Sequence, residues 1–298
     1  MVLTEFKEAL DLIRRTPVLW VQGLVTGSLA AMLWLIYNLQ DSFFATRLIL
    51  ICSLMGVFFL TGSYAVIRKE TGGFRELLTG GVQYFFRVLL PLLVIIFCVL
   101  ILVALVMITL SFGGEPADPE FVGVFSLCIL IPVGFLTIFF DVAAVFEDRR
   151  VFDAMRRSIE LVAVQSVRVF KFYVVSAAFI FVVTFSLMMV WEAALYDKLE
   201  PLTNFNETQI AAFTPDQLVG MIGSEGTVVT AICLFFGFLV LLPILSTYKA
   251  CFFRSLTRGS PGSPGSQGTQ GIQGSQGPIP VNKPETGEYD SKGRWYKY

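Results

Sequence analysis

Apolar and polar positions alternate along the chain in long blocks. Six apolar runs, at 18–39, 48–67, 88–112, 121–146, 172–194 and 228–248, are separated by shorter charged segments. Each run approaches or exceeds the roughly 20 residues that cross about 30 Å of hydrocarbon. None shows the period of two that a barrel strand needs, so each predicts a membrane-spanning helix. Glu5, Glu8, Asp11, Arg14 and Arg15 precede the first run, which is too long for a signal-peptide core and lacks a small-residue cleavage site. It is expected to be retained as a span.

A second pattern precedes the spans in pairs. Residues 2–15 place Phe6, Leu10 and Ile13 on one helical face, with Glu5, Glu8, Asp11 and Arg15 facing elsewhere. Residues 74–86 set Phe74, Leu77, Leu78 and Phe85 on an apolar side, and 151–162 do the same with Phe152, Met155, Ile159 and Val162. Each segment has the period of an amphipathic helix and leads into two spans. The expected fold is therefore all-α: an integral membrane bundle of six transmembrane helices built as three repeats of an interfacial helix plus two spans.

Charge orients this plan. Lys7, Arg14, Arg15, Arg68, Lys69, Arg75, Arg87, Arg149, Arg150, Arg156, Arg157, Arg168, Lys171, Lys249, Arg254 and Arg258 all fall on one side. Only Arg47 and Lys198 fall on the other, among Asp41, Glu115, Asp118, Glu120, Asp197, Glu200, Glu207, Asp216 and Glu225. The positive-inside bias predicts a multi-pass protein of the cell membrane with both termini in the cytoplasm.

Composition agrees and narrows the chemistry. Hydrophobic residues make up 55% of the 298 and charged residues 15%, outside the balance of a soluble domain. The chain has no His, which removes imidazole catalysis, the common zinc sites and His-ligated haem. A net charge of −1 gives no reason to expect nucleic acid as a partner. Cys52, Cys98, Cys128, Cys233 and Cys251 sit in or beside spans without CxxC spacing, so they predict apolar packing and neither disulfides nor a metal site. No cofactor is expected.

The third amphipathic segment is the most charged. Arg149/Asp153, Asp153/Arg157 and Arg156/Glu160 stand four apart, as in a solvated helix face. Arg149, Arg150, Arg156 and Arg157 form a candidate cytoplasmic face for anionic lipid or a soluble partner. The run Glu147-Asp148-Arg149-Arg150-Val151-Phe152-Asp153-Ala154-Met155-Arg156-Arg157-Ser158 ends a span in an acidic turn and opens an Ala-hydrophobic-basic-x-Ser helix. In this it resembles prokaryotic multi-pass families of unknown function and the membrane domain fused to glycerophosphoryl diester phosphodiesterases. The resemblance of plan covers about residues 1–256 and implies a fold. It does not imply the activity, because no phosphodiesterase domain follows and that enzyme's His constellation is missing.

Within the spans, Asp141 is the candidate polar site, since an ionisable group there is costly unless it serves a purpose. It lies six residues before Glu147, near the cytoplasmic interface, with no Lys or Arg evidently opposite. Glu192 falls at the outer end of the fifth span, where solvent contact accounts for it. Pro91, Pro132 and Pro243 lie in or beside spans, and Gly23 and Gly27 form a GxxxG pair suited to close helix packing. The long external loop carries a glycosylation sequon at Asn206 and a helix start at Thr214-Pro215-Asp216-Gln217.

After residues 1–258, composition changes to a Gly-x-y low-complexity linker at 259–280, followed by a charged and aromatic tail at 281–298. Both are expected to be disordered, the second with aromatic anchors for a cytoplasmic protein partner. The function these features favour is non-enzymatic: organisation of membrane lipid or partner proteins at the cytoplasmic face. The alternative is a transporter or permease-like protein with a site near Asp141.

Overall fold

The computed structural model describes residues 2–39, 42–70, 72–112, 119–201, 205–206, 214–258, 287–289 and 295–297. It divides into a helical unit, Met1–Ser260, and a small unit, Pro261–Tyr298. The helical unit comprises α1 (Val2–Arg15), α2 (Trp20–Leu39), α3 (Ser42–Lys69), α4 (Phe74–Phe112), α5 (Pro119–Thr137), α6 (Phe140–Phe146), α7 (Val151–Val164), α8 (Ser166–Ala194), α9 (Tyr196–Leu199) and α10 (Pro215–Arg258). Among the described residues, six helical stretches are long and apolar enough to cross a membrane, the fourth of them made of α5 and α6 together. In the small unit, β1 (Gly287–Tyr289) pairs antiparallel with β2 (Trp295–Lys297), a short ladder that the sequence pattern did not announce. The linker at 259–280 lies outside the described residues.

Two expected boundaries move. The second amphipathic segment is not a separate in-plane helix, because α4 runs unbroken from Phe74 to Phe112. Nothing between its apolar side and the following span interrupts the backbone hydrogen bonding, and Pro91 is absorbed within the helix. The fourth span, in contrast, is broken between Thr137 and Phe140. A break in an apolar medium leaves backbone groups without water to satisfy them. Ser158 of α7 supplies the missing partner: its Oγ accepts the Phe139 N–H at 3.0 Å and donates to the Leu136 carbonyl at 2.8 Å. The Ala and Ser of the 147–158 motif thus form a docking face, with both Ala154 and Ser158 fully buried.

The other interfacial helices also turn a different face inward than their apolar periodicity suggests. In α1 the buried stripe is Glu5, Ala9 and Ile13, packed on α10 and α8. In α7 it is Ala154, Ser158, Leu161 and Val162, while Phe152 and Ile159 are exposed. Ala9, Ala154 and Ser158 within these faces let the helices approach closely.

Close approach also sets the pairing of the spans. A methyl group added at Gly23 would lie 2.5 Å from the Leu239 carbonyl oxygen, and one at Gly27 2.7 Å from that of Phe235. The GxxxG pair of α2 therefore packs directly on the backbone of α10. Gly62 of α3 plays the same part against Leu77 of α4, and Gly80 against Ala65.

Burial is concentrated at one end of the bundle. Tyr64, Leu77, Phe139, Phe172, Tyr248, Phe252 and Phe253 form one aromatic-rich core there, with Phe172 stacked on Tyr248 and Phe252 at centroid distances of 4.7 and 4.8 Å. Farther along the spans, Phe97, Leu100, Ile131, Phe181 and Val190 are exposed, a surface suited to lipid.

If Ser158 sustains the break, Ser158→Ala leaves two buried backbone groups short of a partner. Unfolding in mixed micelles should then cost about 1–3 kcal/mol less, with faster hydrogen exchange at the Phe139 amide. An unchanged melt and unchanged exchange would remove Ser158 from this role.

Candidate functional site

The break positions Asp141 in the first turn of α6, where it is 4% exposed. Its Oδ1 accepts the Val142 N–H at 2.8 Å. Its Oδ2 accepts the Tyr64 hydroxyl at 3.1 Å and the Lys249 Nζ at 2.6 Å. A buried carboxylate and a half-buried ammonium therefore form an ion pair, each compensating the desolvation of the other. The expectation that no cation stands opposite Asp141 is corrected here. Lys249 reads in the sequence as a residue just past the last span, but α10 continues to Arg258 and carries Lys249 inward against α6.

A cavity of about 360 Å³ opens beside this pair. Its polar wall is made by Gln22, Tyr64, Asp141, Ser176, Ser246 and Lys249, from α2, α3, α6, α8 and α10. Ser246 donates to Gln22 Oε1 at 3.1 Å, whereas Ser176 Oγ is buried with no hydrogen-bond partner. Sequence reasoning singled out Asp141 and set Lys249 apart from it, and it missed Gln22, Tyr64, Ser176 and Ser246, since uncharged polar residues in apolar helices carry no signal of their own.

A second cluster lies where α6 gives way to α7. Asp148 adopts a left-handed backbone with φ of 52°. In that conformation its carboxylate takes Arg68 Nη2 at 2.6 Å and Arg87 Nη1 at 3.0 Å, tying α3 and α4 to the α6–α7 turn. Arg68 Nη1 also donates to the Tyr84 hydroxyl and the Val145 carbonyl, both at 2.7 Å. Arg254 closes the same end from α10, pairing with Glu70 at 3.1 Å and donating to the Ile67 carbonyl. The guanidinium of Arg68, hydrogen-bonded to Asp148, holds this carboxyl below the usual aspartate range.

The four arginines of the predicted cytoplasmic face divide. Arg149 and Arg157 both pair with Glu147, at 2.6 and 3.2 Å, and not with Asp153 as their spacing suggested. Arg156 makes the expected pair with Glu160 at 2.8 Å, and Arg150 is exposed at the helix N-cap. On the outer side of α7, Phe152, Arg156 and Ile159 share one stripe; Phe152 is 71% exposed and the Arg156 side chain 80%.

Of the remaining candidates, Asn206 is exposed in the coil between α9 and α10, while Glu207 and Thr208 lie outside the described residues. Glu192 is exposed near the end of α8. The helix start at Thr214 is a capping box: Thr214 N–H donates to Gln217 Oε1 at 3.0 Å, and Gln217 N–H to Thr214 Oγ1 at 3.4 Å. The cysteines are free thiols, with Cys251 buried and Cys98 and Cys128 exposed on the bundle surface.

A family model described as a domain of unknown function, DUF7847, matches residues 1–256, and the chain belongs to that family. The match covers the helical unit and lends no support to the resemblance to the phosphodiesterase membrane domain. No curated protein and no solved structure matches the chain.

The lowered Asp148 carboxyl makes its latch pH-dependent. Its contribution to stability is present above the ordinary aspartate range and is lost as pH falls through the folded value. The melting midpoint should hold between about pH 7 and 5 and drop below about pH 4. Asp148→Asn, which tolerates the left-handed backbone, should melt lower near neutrality and show a shallower acid drop. Identical acid profiles for both proteins would contradict the latch.

Proposed function

We propose that this member of a family of unknown function is a non-enzymatic, multi-pass protein of the cell membrane that binds and organises membrane lipid at its cytoplasmic face. The observation that carries this reading is the outer stripe of α7. Phe152, Arg156 and Ile159 are exposed together on a helix whose inner face, Ala154 and Ser158, is locked to the bundle. A fixed in-plane helix with apolar and cationic side chains on one stripe suits the boundary between acyl chains and anionic headgroups. Arg150 adds exposed positive charge at the N-cap of the same helix, while Arg149 and Arg157 are paired with Glu147.

The bias of basic residues supports cytoplasmic termini, which would leave Asn206 on the outer side as a glycan acceptor. The aromatic tail at 289–298 belongs to the same reading as a tether for a cytoplasmic protein partner. The absence of His supports a role without catalysis.

The cavity beside Asp141 and Lys249 favours a second reading, a permease with its site there. Buried ionisable pairs of this kind commonly mark a pathway through a bundle. Proton or ion flux through reconstituted protein that is unchanged in Asp141→Asn would dismiss it.

The lipid reading is tested by extracting the full chain in mild detergent and determining its lipid complement by mass spectrometry. Anionic lipid should be enriched over the bulk membrane, and Phe152→Glu combined with Arg156→Glu should reduce the enrichment. A complement identical to the bulk membrane would overturn the reading.

A further inference from the structure

Helices α8 and α10 run antiparallel in constant register. Trp191 Nε1 donates to Thr230 Oγ1 at 2.8 Å at one end, and Phe172 stacks on Tyr248 at 4.7 Å toward the other. Between these contacts lie two cavities, of about 330 and 360 Å³. The first is apolar, with Leu187, Phe238 and Leu241 on its walls and the Trp191–Thr230 contact at its far end. The second is the cavity over Asp141 and Lys249, whose wall continues the same stripes through Ile180 and Leu242. Ile180 is one helical turn from Thr184 in the first cavity, and Leu242 directly follows Leu241. The two therefore lie in line, as an apolar shaft with a polar end.

The wall at that end keeps donors that no residue of the bundle uses. Both Asp141 oxygens are taken, by Val142 N–H on one side and by Tyr64 and Lys249 on the other. An ammonium carries three N–H donors, and the bond to Asp141 uses one of those on Lys249. Ser176 Oγ, in a residue only 9% exposed, has no partner and lines the same wall. Spare donors on a cation and a hydroxyl suit an oxygen-rich anionic group such as a phosphate ester. From Lys249 to Phe238 the helix rises about 16 Å, close to the half-thickness of a bilayer core.

We propose that the α8–α10 cleft holds one phospholipid of the surrounding bilayer, its phosphate at Lys249 and Ser176 and one hydrocarbon chain in the shaft. This rests on the lipid-binding reading above but puts the bound lipid between two spans, away from the outer face of α7. Protein–lipid recognition then combines charge-assisted hydrogen bonds at the head with apolar burial along the chain.

The full chain reconstituted in phosphatidylcholine vesicles with a small fraction of phosphatidylglycerol, photoreactive midway along one chain, tests this. Peptide mapping should place the label on Thr184, Leu187 and Leu241 in preference to Phe97 and Leu100 of α4, which serve as the annular reference. Ser176→Ala, which removes only an unpartnered hydroxyl, and the charge-neutral pair Asp141→Asn with Lys249→Met should each cut cleft labelling about tenfold, as loss of a hydrogen bond to a charged group predicts. Labelling of α4 should not change. Label spread evenly over α4 and the cleft, or cleft labelling indifferent to both variants, would overturn the proposal. So would displacement by free oleate at lower concentration, which assigns the cleft to a fatty acid. If lipid enrichment persists while the cleft stays unlabelled, the inference falls and the lipid reading stands.

Discussion

The ion pair of buried Asp141 with half-buried Lys249 sets the terms for the rest of the bundle. Two charges removed from water are tolerated only when their geometry and remaining hydrogen bonds are good. Here the geometry draws on five elements. Ser158 sustains the break that makes Asp141 the first turn of α6. Tyr64 of α3 and the Val142 amide complete the carboxylate. The glycines of α2 let α10 come close enough to pack, and α10 extends far enough to deliver Lys249. Each of these is a local feature with little meaning alone, and together they fix the centre of the packed end.

That end is also where charge is organised. The Asp148 latch joins α3, α4 and the turn into α7, Arg254 joins α10 to α3, and Arg168 of α8 faces the buried Glu5 of α1 at 3.6 Å. Arg68, Arg87, Arg168 and Arg254 thus serve to hold helices to one another. The arginine that remains most exposed within an ion pair is Arg156, on the apolar outer stripe of α7. A bundle tied at one end and apolar along its length has lipid as the natural complement of its surface, and the α8–α10 cleft extends that relation inward.

Much of this was legible in the sequence because the signals were long or repetitive. Six apolar runs and the face-to-face charge asymmetry are collective properties of many residues, and each run is found helical, the fourth as α5 and α6 in succession. The GxxxG pair and the Thr214 helix start are local, and both appear as read. What escaped depends on partners far apart in the chain. The break in the fourth span falls in Leu136-Thr137-Ile138-Phe139-Phe140, with no Gly or Pro to mark it, and is stabilised by a hydroxyl on another helix. Lys249 is separated from Asp141 by 108 positions. The continuous α4 was missed for the opposite reason, since an amphipathic segment and a span share one period and nothing between them forces a turn.

A double-mutant cycle on the ion pair tests this account most directly. Unfolding free energies in mixed micelles would be measured for the wild type, Asp141→Asn, Lys249→Met and the combined variant. Each single change should cost about 3–5 kcal/mol, because it strands a desolvated charged partner, and the combined variant should cost markedly less than their sum. Single costs within about 0.5 kcal/mol, the range of ordinary surface substitutions, or strict additivity of the two, would contradict it.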